Sequence, residues 1–429
     1  MNELFRLIAS FFLHPDFLHV LVWWPALAGV GILFLPLTLR LFAGFHDGGY
    51  LFARVLGLLL SAWLAWIASS LGLAPFGRTA AAGSLLLLGA LNYALPSSRS
   101  SVRDFFRHKA RTVVAEEYLF LLAFIAWALL RSLKPDIDGL EKFMNLGFVN
   151  AVLRAEWMPP VDMWMAGESV NYYYFGHVAT AFLCLLTRIP PEIAYNLMIA
   201  TLFALAFSLS YSVVSCLLLK IDPRGAKKAV AGGLLAALLL AAGGNLQPFV
   251  YGVIRPALQR AGVLEGEPAS YWYPQARSFI GHHPPTGDKG IHEFPFYSFV
   301  ISDLHGHVLD VPASLTATGL GAALLLSQSS ASGTSPIRVP YREAVAGVLL
   351  GATWMTNSWN YPIYLLVLAG AALVFALQRH GFTRRALAET LFAAVILLAV
   401  SQAAALPYTL SFQNMTRGVH RVMATSPLW

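Results

Sequence analysis

Charge is scarce in this sequence: Asp, Glu, Lys and Arg make up 12% of the 429 residues, while hydrophobic residues reach 57%. A soluble globular domain carries about 25% charged residues. Together with a mean hydropathy of +0.62, the shortage excludes a soluble fold and describes a polytopic membrane protein. Cysteine is equally sparse. Cys184 and Cys216 both lie inside apolar runs, which argues against a disulfide framework or a cysteine metal site. There is no Walker A loop, dinucleotide glycine fingerprint, Gly-x-Ser-x-Gly elbow or His-Glu-x-x-His motif, so soluble nucleotide chemistry is excluded. The dyad alternation of a membrane β-barrel is missing too. No small-residue cleavage site follows the apolar start, Met1 to Phe12, so no cleaved signal peptide is read. The formal charge of +7 is spread over short loops and not gathered on one face. It reports topology, and no nucleic-acid partner is expected.

What is present is a series of long apolar runs, among them Val55 to Leu73, Tyr118 to Leu133, Ile193 to Leu219 and Leu387 to Leu406, each able to cross a hydrocarbon core of about 30 Å as a helix. Arg99, Arg103, Arg107, Lys109 and Arg111 form the strongest basic cluster, and short basic loops stay in the cytoplasm. From that anchor the loop 134–170, with Asp136, Asp138, Glu141, Glu156, Asp162 and Glu168, faces out. Lys220 to Lys228 and Arg379 to Arg385 face in. Simple alternation then fails unless Tyr174 to Leu186, about 13 apolar residues against the roughly 20 of a spanning helix, is a re-entrant or juxtamembrane helix. With that choice the loop 251–309 is also external. Further spans are expected near Leu21 to Leu39, Ala80 to Leu95, Ala229 to Phe249, Val311 to Leu326, before Trp354, and from Tyr361 to Leu377, and Gln328 to Pro340 reads as a Ser-rich turn. The expected fold is an all-α membrane bundle of about ten spanning helices plus the short one. It divides into N-terminal membrane helices, 1–114, and a membrane module, 115–429. A multi-pass protein of the cell's inner (plasma) membrane, in contact with its lipids, follows.

Two polar stretches interrupt the apolar pattern. In the first outer loop, Leu140, Phe143, Met144, Phe148, Val152 and Leu153 recur at spacings near three and four, which predicts an amphipathic interfacial helix. Acids ahead of such a helix can bind a cation or take a proton from an incoming hydroxyl, which makes Asp136, Asp138 and Glu141 the candidate catalytic groups; simple solvation of an exposed loop is the bland alternative. The run Tyr172, Tyr173, Tyr174 then leads to His177. Interfacial aromatics are common, but three consecutive tyrosines on a helix point about 100° apart, so at least one must face protein or a cavity. These four residues are candidate substrate contacts.

The second stretch, Tyr271 to Asp310, holds His282, His283, His292, Glu293, Asp303, His305 and His307. If Asp303, His305 and His307 lie on an extended segment, alternation points all three to one side, as ligands of one divalent cation would. A hydrogen-bonded cap on the helix starting near Val311 is the structural alternative. Arg277 and Glu293 complete the candidate substrate contacts, Arg277 as a partner for a lipid-linked phosphate.

At these residues the chain resembles the YYY family of bacterial and archaeal integral membrane proteins, a domain of unknown function named for its tyrosine triplet. The resemblance rests on 139–150, 159–164, 167–177, Glu293-Phe294-Pro295-Phe296-Tyr297-Ser298-Phe299 and Asp303-Leu304-His305-Gly306-His307. That family is in turn distantly similar to the GT-C class of membrane glycosyltransferases. The resemblance implies a GT-C-like bundle, a polyprenyl-phosphate sugar donor at the outer face, and an acid of the first outer loop as base or metal ligand. Family members usually carry Glu-Lys-Pro-Met-Asp where this chain has Glu141-Lys142-Phe143-Met144-Asn145, and Asp-Leu-His-Pro-His where it has Gly306. The amide at 145 cannot be a base, which moves weight to Asp136, Asp138 and Glu141. Many relatives continue with further spans, so a second chain supplying membrane helices is an expected partner. Glycosyl transfer from a lipid-linked sugar is therefore the leading expectation. The alternative is a transporter or lipid flippase that uses the same residues as a gate, and a metallohydrolase built on His305 and His307 is a third reading.

Overall fold

The computed structural model describes residues 2–413 apart from 269, 279–280, 282–284, 286, 288 and 328–339. The Ser-rich turn at 328–339, with Arg338, and the pair His282 and His283 thus lie outside the described residues. Among the described residues the regular elements are helices, and an isolated antiparallel bridge joins Val161 and Ser169.

The first nine helices are α1 (Asn2–Leu13), α2 (Phe17–Leu41), α3 (Phe52–Ser70), α4 (Arg78–Tyr93), α5 (Pro96–Ser132), α6 (Lys142–Arg154), α7 (Phe175–Thr187), α8 (Pro191–Ile221) and α9 (Ala226–Ala241). After short helical turns in the 247–277 region come Pro295–Ile301, the helical stretch Gly306–Leu326, Tyr341–Thr356, Asn360–His380 and Arg384–Ala404. Among the described residues seven helices are long and apolar enough to cross a membrane: α2, α3, α5, α8, Gly306–Leu326, Asn360–His380 and Arg384–Ala404. The three other segments expected to span form α4, α9 and Tyr341–Thr356, of 16 residues each. At 1.5 Å per residue such a helix measures about 24 Å, short of a full hydrocarbon core.

Two helices illustrate how composition sets position. The 37 residues of α5 make a rod of about 55 Å; its first half carries the basic cluster and its second half is apolar, so only the second half suits lipid. Helix α7 is apolar all round, and its residues from Phe175 to Cys184 are buried without interruption. Such a helix belongs inside a bundle. It ends at Arg188, which takes the left-handed conformation at φ 61°, and Pro190-Pro191 opens α8, where a proline at the first helical position costs no hydrogen bond. The start of α7 and the start of α8 approach one segment. His177, in its first turn, meets the Leu304 carbonyl oxygen at 3.1 Å, while Tyr195, one turn into α8, donates to the Ser302 carbonyl at 3.1 Å and accepts from the Leu304 amide at 3.0 Å.

Candidate functional site

The site is assembled where three chain segments meet. Gly139 and Leu140 adopt φ of 72° and 51°, reversing the chain so that α6 can start at Lys142. On α6, Asn145, Phe148, Val149 and Val152 form one buried face, the i, i+3, i+4, i+7 stripe of an amphipathic helix. Ser302, at φ 58°, terminates the Pro295–Ile301 helix and turns the chain into the loop 303–305. Tyr195 clamps that loop through its two hydrogen bonds.

Asn145 is the hinge of the polar contacts. Its Nδ2 donates to Asp303 Oδ1 at 2.7 Å, and its Oδ1 lies 3.1 Å from His177 Nε2. Nε2 of His177 faces two oxygens, those of Asn145 and Leu304, so it carries the proton and donates. Complete burial, with His305 nearby, lowers the His177 pKa to about 3; it is a neutral structural donor and not a base at physiological pH. Burial likewise raises Asp303 from 3.8 to about 6, partly offset by His305 and by the Asn145 hydrogen bond and reinforced by Glu141 and Glu293.

Glu141 and His305 complete the centre. Nδ1 of His305 lies 2.7 Å from Glu141 Oε2, and its Nε2 2.9 Å from the Tyr172 hydroxyl, which donates to Tyr173 at 3.0 Å. Both ring nitrogens are engaged, so the imidazole is held in one orientation. One ligand atom from each of Glu141, Asp303 and His305 falls within 4.8 Å of the others, a spacing a divalent cation could close with a mixed oxygen and nitrogen set. The Glu141 side chain is 55% exposed and that of His305 16%, so the trio is reached from one side only. Desolvation also raises the Tyr172 hydroxyl pKa far above its usual value; it acts as a neutral donor.

A second group adjoins the first. Glu293 accepts from Arg277 Nη1 at 2.6 Å and meets His307 Nε2 at 3.2 Å, and His307 also contacts Ser298 Oγ at 3.0 Å. The His305 and His307 rings are 5.2 Å apart between centroids, so the two groups are continuous. A cavity of about 600 Å³ opens among α1, α2, α5, α6 and α8, lined mainly by apolar side chains such as Phe17, Val20, Leu146 and Leu197, with Arg131 among them; no residue of the two polar groups lines it. Arg131 donates to Asn196 Oδ1 at 2.7 Å and to the carbonyls of Lys134 and Asp136.

The residues singled out from sequence fall into three groups. Glu141, Asp303, His305, Tyr172 and Tyr173 come together, with His177 behind them and Arg277, Glu293 and His307 alongside. His307 does not share the trio's focus: the 303–307 segment is not an extended strand, because the chain becomes helical at Gly306 and swings His307 toward Ser298. Tyr174 turns away into the core, accepting from Trp66 Nε1 at 3.1 Å beside the Tyr408 ring. Asp136 and Asp138 are exposed, and Asp138 lies 4.0 Å from Lys134. Asn145, Tyr195 and Ser298 were not singled out as site residues. Asn145 carried a signal, since it stands one turn from Glu141 on the apolar-faced helix, and Ser298 lies within the 293–299 motif; Tyr195 had none.

A bundle of apolar helices with a polar site built where helices end is a multi-pass membrane protein. A family model described as "Uncharacterized membrane protein (DUF2298)" matches residues 60–429, and the chain belongs to that family. No curated protein and no solved structure matches it.

Proposed function

We propose that the protein is an inner-membrane glycosyltransferase acting at the outer face, with a polyprenyl-phosphate sugar as donor. The observation that carries this reading is the convergence of Glu141, Asp303 and His305, with ligand atoms within 4.8 Å of each other; a mostly apolar cavity of about 600 Å³, which Leu146 of α6 helps to line, has a size suited to a lipid chain. Glu141, Asp303 and His305 are the residues that would hold a divalent cation. When bound, it would neutralise charge on the donor phosphate, a common role of such ions in transfer to and from phosphates. Arg277 offers a guanidinium for the same phosphate.

In the reaction the acceptor hydroxyl oxygen forms a bond to the anomeric carbon while the bond from that carbon to the phosphate oxygen breaks. The electron pair leaves on polyprenyl phosphate. The acceptor's proton passes to Glu141, the partly exposed carboxylate of the three candidate acids that reaches the centre. Tyr172 and Tyr173 carry hydroxyls to which a sugar can hydrogen-bond. The test is purified protein in lipid nanodiscs given radiolabelled polyprenyl-phosphate sugars. Binding and transfer that disappear in Asp303→Ala and His305→Ala support the reading; wild-type protein that neither binds nor transfers overturns it.

A transporter or flippase remains the second reading, favoured by one observation: Asp47, Arg54 and Glu116 are buried among membrane helices, where ionisable groups usually serve function. Flux of lipid-linked sugar across sealed vesicles without covalent change would support it over transfer.

A further inference from the structure

At the far end of α8 from the site described above, three segments place unlike ligand groups together. Cys216 lies 21 residues after Tyr195 on α8, about 31 Å along the axis, so this is a separate place. The turn between α2 and α3 brings the first two groups in. Gly48 and Gly49 have φ of 62° and 69°, and a Cβ on Gly49 would meet the Phe42 ring at 2.5 Å; the turn is tight, and it drives His46 and Asp47 into the bundle. His46 Nδ1 sits 3.0 Å from Cys216 Sγ. One ligand atom from each of His46, Asp47 and Cys216 falls within 4.8 Å of the others.

Glu116 of α5 supplies the independent observation. It is 2% exposed, neither of its carboxyl oxygens finds a hydrogen-bond donor, and its carboxyl lies against that of Asp47. Asp47 is itself fully buried, accepting from the Gly49 amide at 2.8 Å and Ser212 Oγ at 2.5 Å. The nearest guanidinium does not hydrogen-bond Glu116: Arg54 Nη2 pairs with Glu117, which also accepts from Trp24 Nε1 at 2.6 Å and the Tyr50 hydroxyl at 2.9 Å, and Arg54 Nη1 is buried without a partner, its charge acting on Glu116 only through space. Two buried carboxyls in contact without a cationic side chain of their own are costly. A divalent cation would neutralise both, and would give Glu116 the partner it lacks.

We propose that His46, Asp47, Glu116 and Cys216 form a binding site for a borderline-soft divalent cation of the zinc type. The donor set carries the choice of metal. One imidazole nitrogen, one thiolate and two carboxylates suit zinc, whereas calcium and magnesium take oxygen ligands almost alone. Tetrahedral ligation at about 2.0–2.3 Å separates ligand atoms by roughly 3–4 Å, close to the spacing of His46, Asp47 and Cys216; Glu116 would close the fourth position by a side-chain rotation toward Asp47. The site ties the 42–51 turn to α5 and α8, so the metal would fasten that turn to two helices at one end of the bundle.

The experiment uses the full chain in detergent, stripped of metal and titrated with Co²⁺. A cobalt–thiolate charge-transfer absorption that saturates at one equivalent is expected, because only this site contains sulfur. It should vanish in Cys216→Ser and Cys216→Ala and need at least tenfold more Co²⁺ in Glu116→Gln. It should persist in the double variant Glu141→Gln, Asp303→Asn, which separates it from the other site. Wild-type protein that melts cooperatively yet binds Co²⁺ without the sulfur absorption, or does not bind it, overturns the proposal, as does an absorption unchanged in Cys216→Ser.

Discussion

Asn145 Nδ2 donates a 2.7 Å hydrogen bond to Asp303 Oδ1, joining residues 158 positions apart. An amide can do what a carboxylate at this position cannot: it donates to Asp303 on one side and accepts from His177 on the other. Position 145 is therefore a connector in this chain, and the groups left to act on a ligand are Glu141, His305 and the free oxygen of Asp303.

Asn145→Leu should leave the buried Asp303 carboxyl without its side-chain donor, while His177 keeps the Leu304 carbonyl. At about 1–3 kcal/mol for an unsatisfied buried group, the loss is read as a lower melting temperature in detergent. Asn145→Asp sets a second carboxyl against Asp303, so the pair must either repel or take up a shared proton. The metal-free protein should melt lower than wild type, while its affinity for Mn²⁺ at this site rises at least tenfold by calorimetric titration.

Protonation of Asp303 sets a pH dependence whose sign is fixed by its environment. Burial raises its pKa from 3.8 to about 6, so the folded protein holds this proton more tightly than the unfolded chain. The stabilisation is fully present below pH 3.8 and is lost as pH rises through about 6. At about 1.4 kcal/mol for each pH unit between those values, it amounts to roughly 3 kcal/mol. Melting curves of metal-free protein should show a fall between pH 4 and 7 that is reduced in Asp303→Asn. Cation binding needs the ionised carboxylate, so Mn²⁺ affinity should climb through the same window.

The three acids of the first loop should separate cleanly. Glu141 touches His305, whereas Asp136 and Asp138 are exposed and a surface ion pair such as that of Asp138 with Lys134 is worth at most about 1 kcal/mol. Glu141→Gln should abolish cation binding and transfer. Asp136→Asn and Asp138→Asn should retain both within about threefold in the same assays.

Much of this was legible in the chain, and the exceptions have physical causes. Apolar runs located every long helix, since a helix in lipid must be apolar over its length; run length alone did not reveal that α4, α9 and Tyr341–Thr356 stop at 16 residues. Glu141, Asp303 and His305 stood out because polar residues are rare here. The partners of those residues did not: Asn145 meets Asp303, and Tyr195 meets Leu304, only through tertiary packing. The alternation that grouped His307 with His305 assumed extended backbone, and the helical turn opened by Gly306 replaces a two-residue period with one near 3.6.

Gly306 is itself a point of close approach. A Cβ there would meet the Thr356 carbonyl oxygen and come within 2.7 Å of the Tyr173 ring. Backbone cannot yield as a flexible side chain can, so Gly306→Ala should push the 303–307 segment off Tyr173 and cost about 1–3 kcal/mol, the usual range for overpacking. Reduced melting temperature together with weakened Mn²⁺ binding is the expected pair of results; unchanged binding would mean the site tolerates the displacement.

The final prediction concerns α7, whose 13 residues measure about 20 Å, with His177 in its first turn and Tyr195 of the following α8 both meeting 302–304. If α7 enters and leaves on one side, Glu168 before it and Arg188 after it must share that side, and both basic ends, Arg103 and Arg224, must lie on the other. Single cysteines can be placed at these four exposed positions in a chain with Cys184 and Cys216 changed to Ser. A membrane-impermeant maleimide applied to intact cells should label Glu168→Cys and Arg188→Cys, and should reach Arg103→Cys and Arg224→Cys only after the membrane is opened. Labelling of Glu168→Cys without Arg188→Cys would make α7 a crossing helix, and would invert the basic loop at 220–228 against the charge rule.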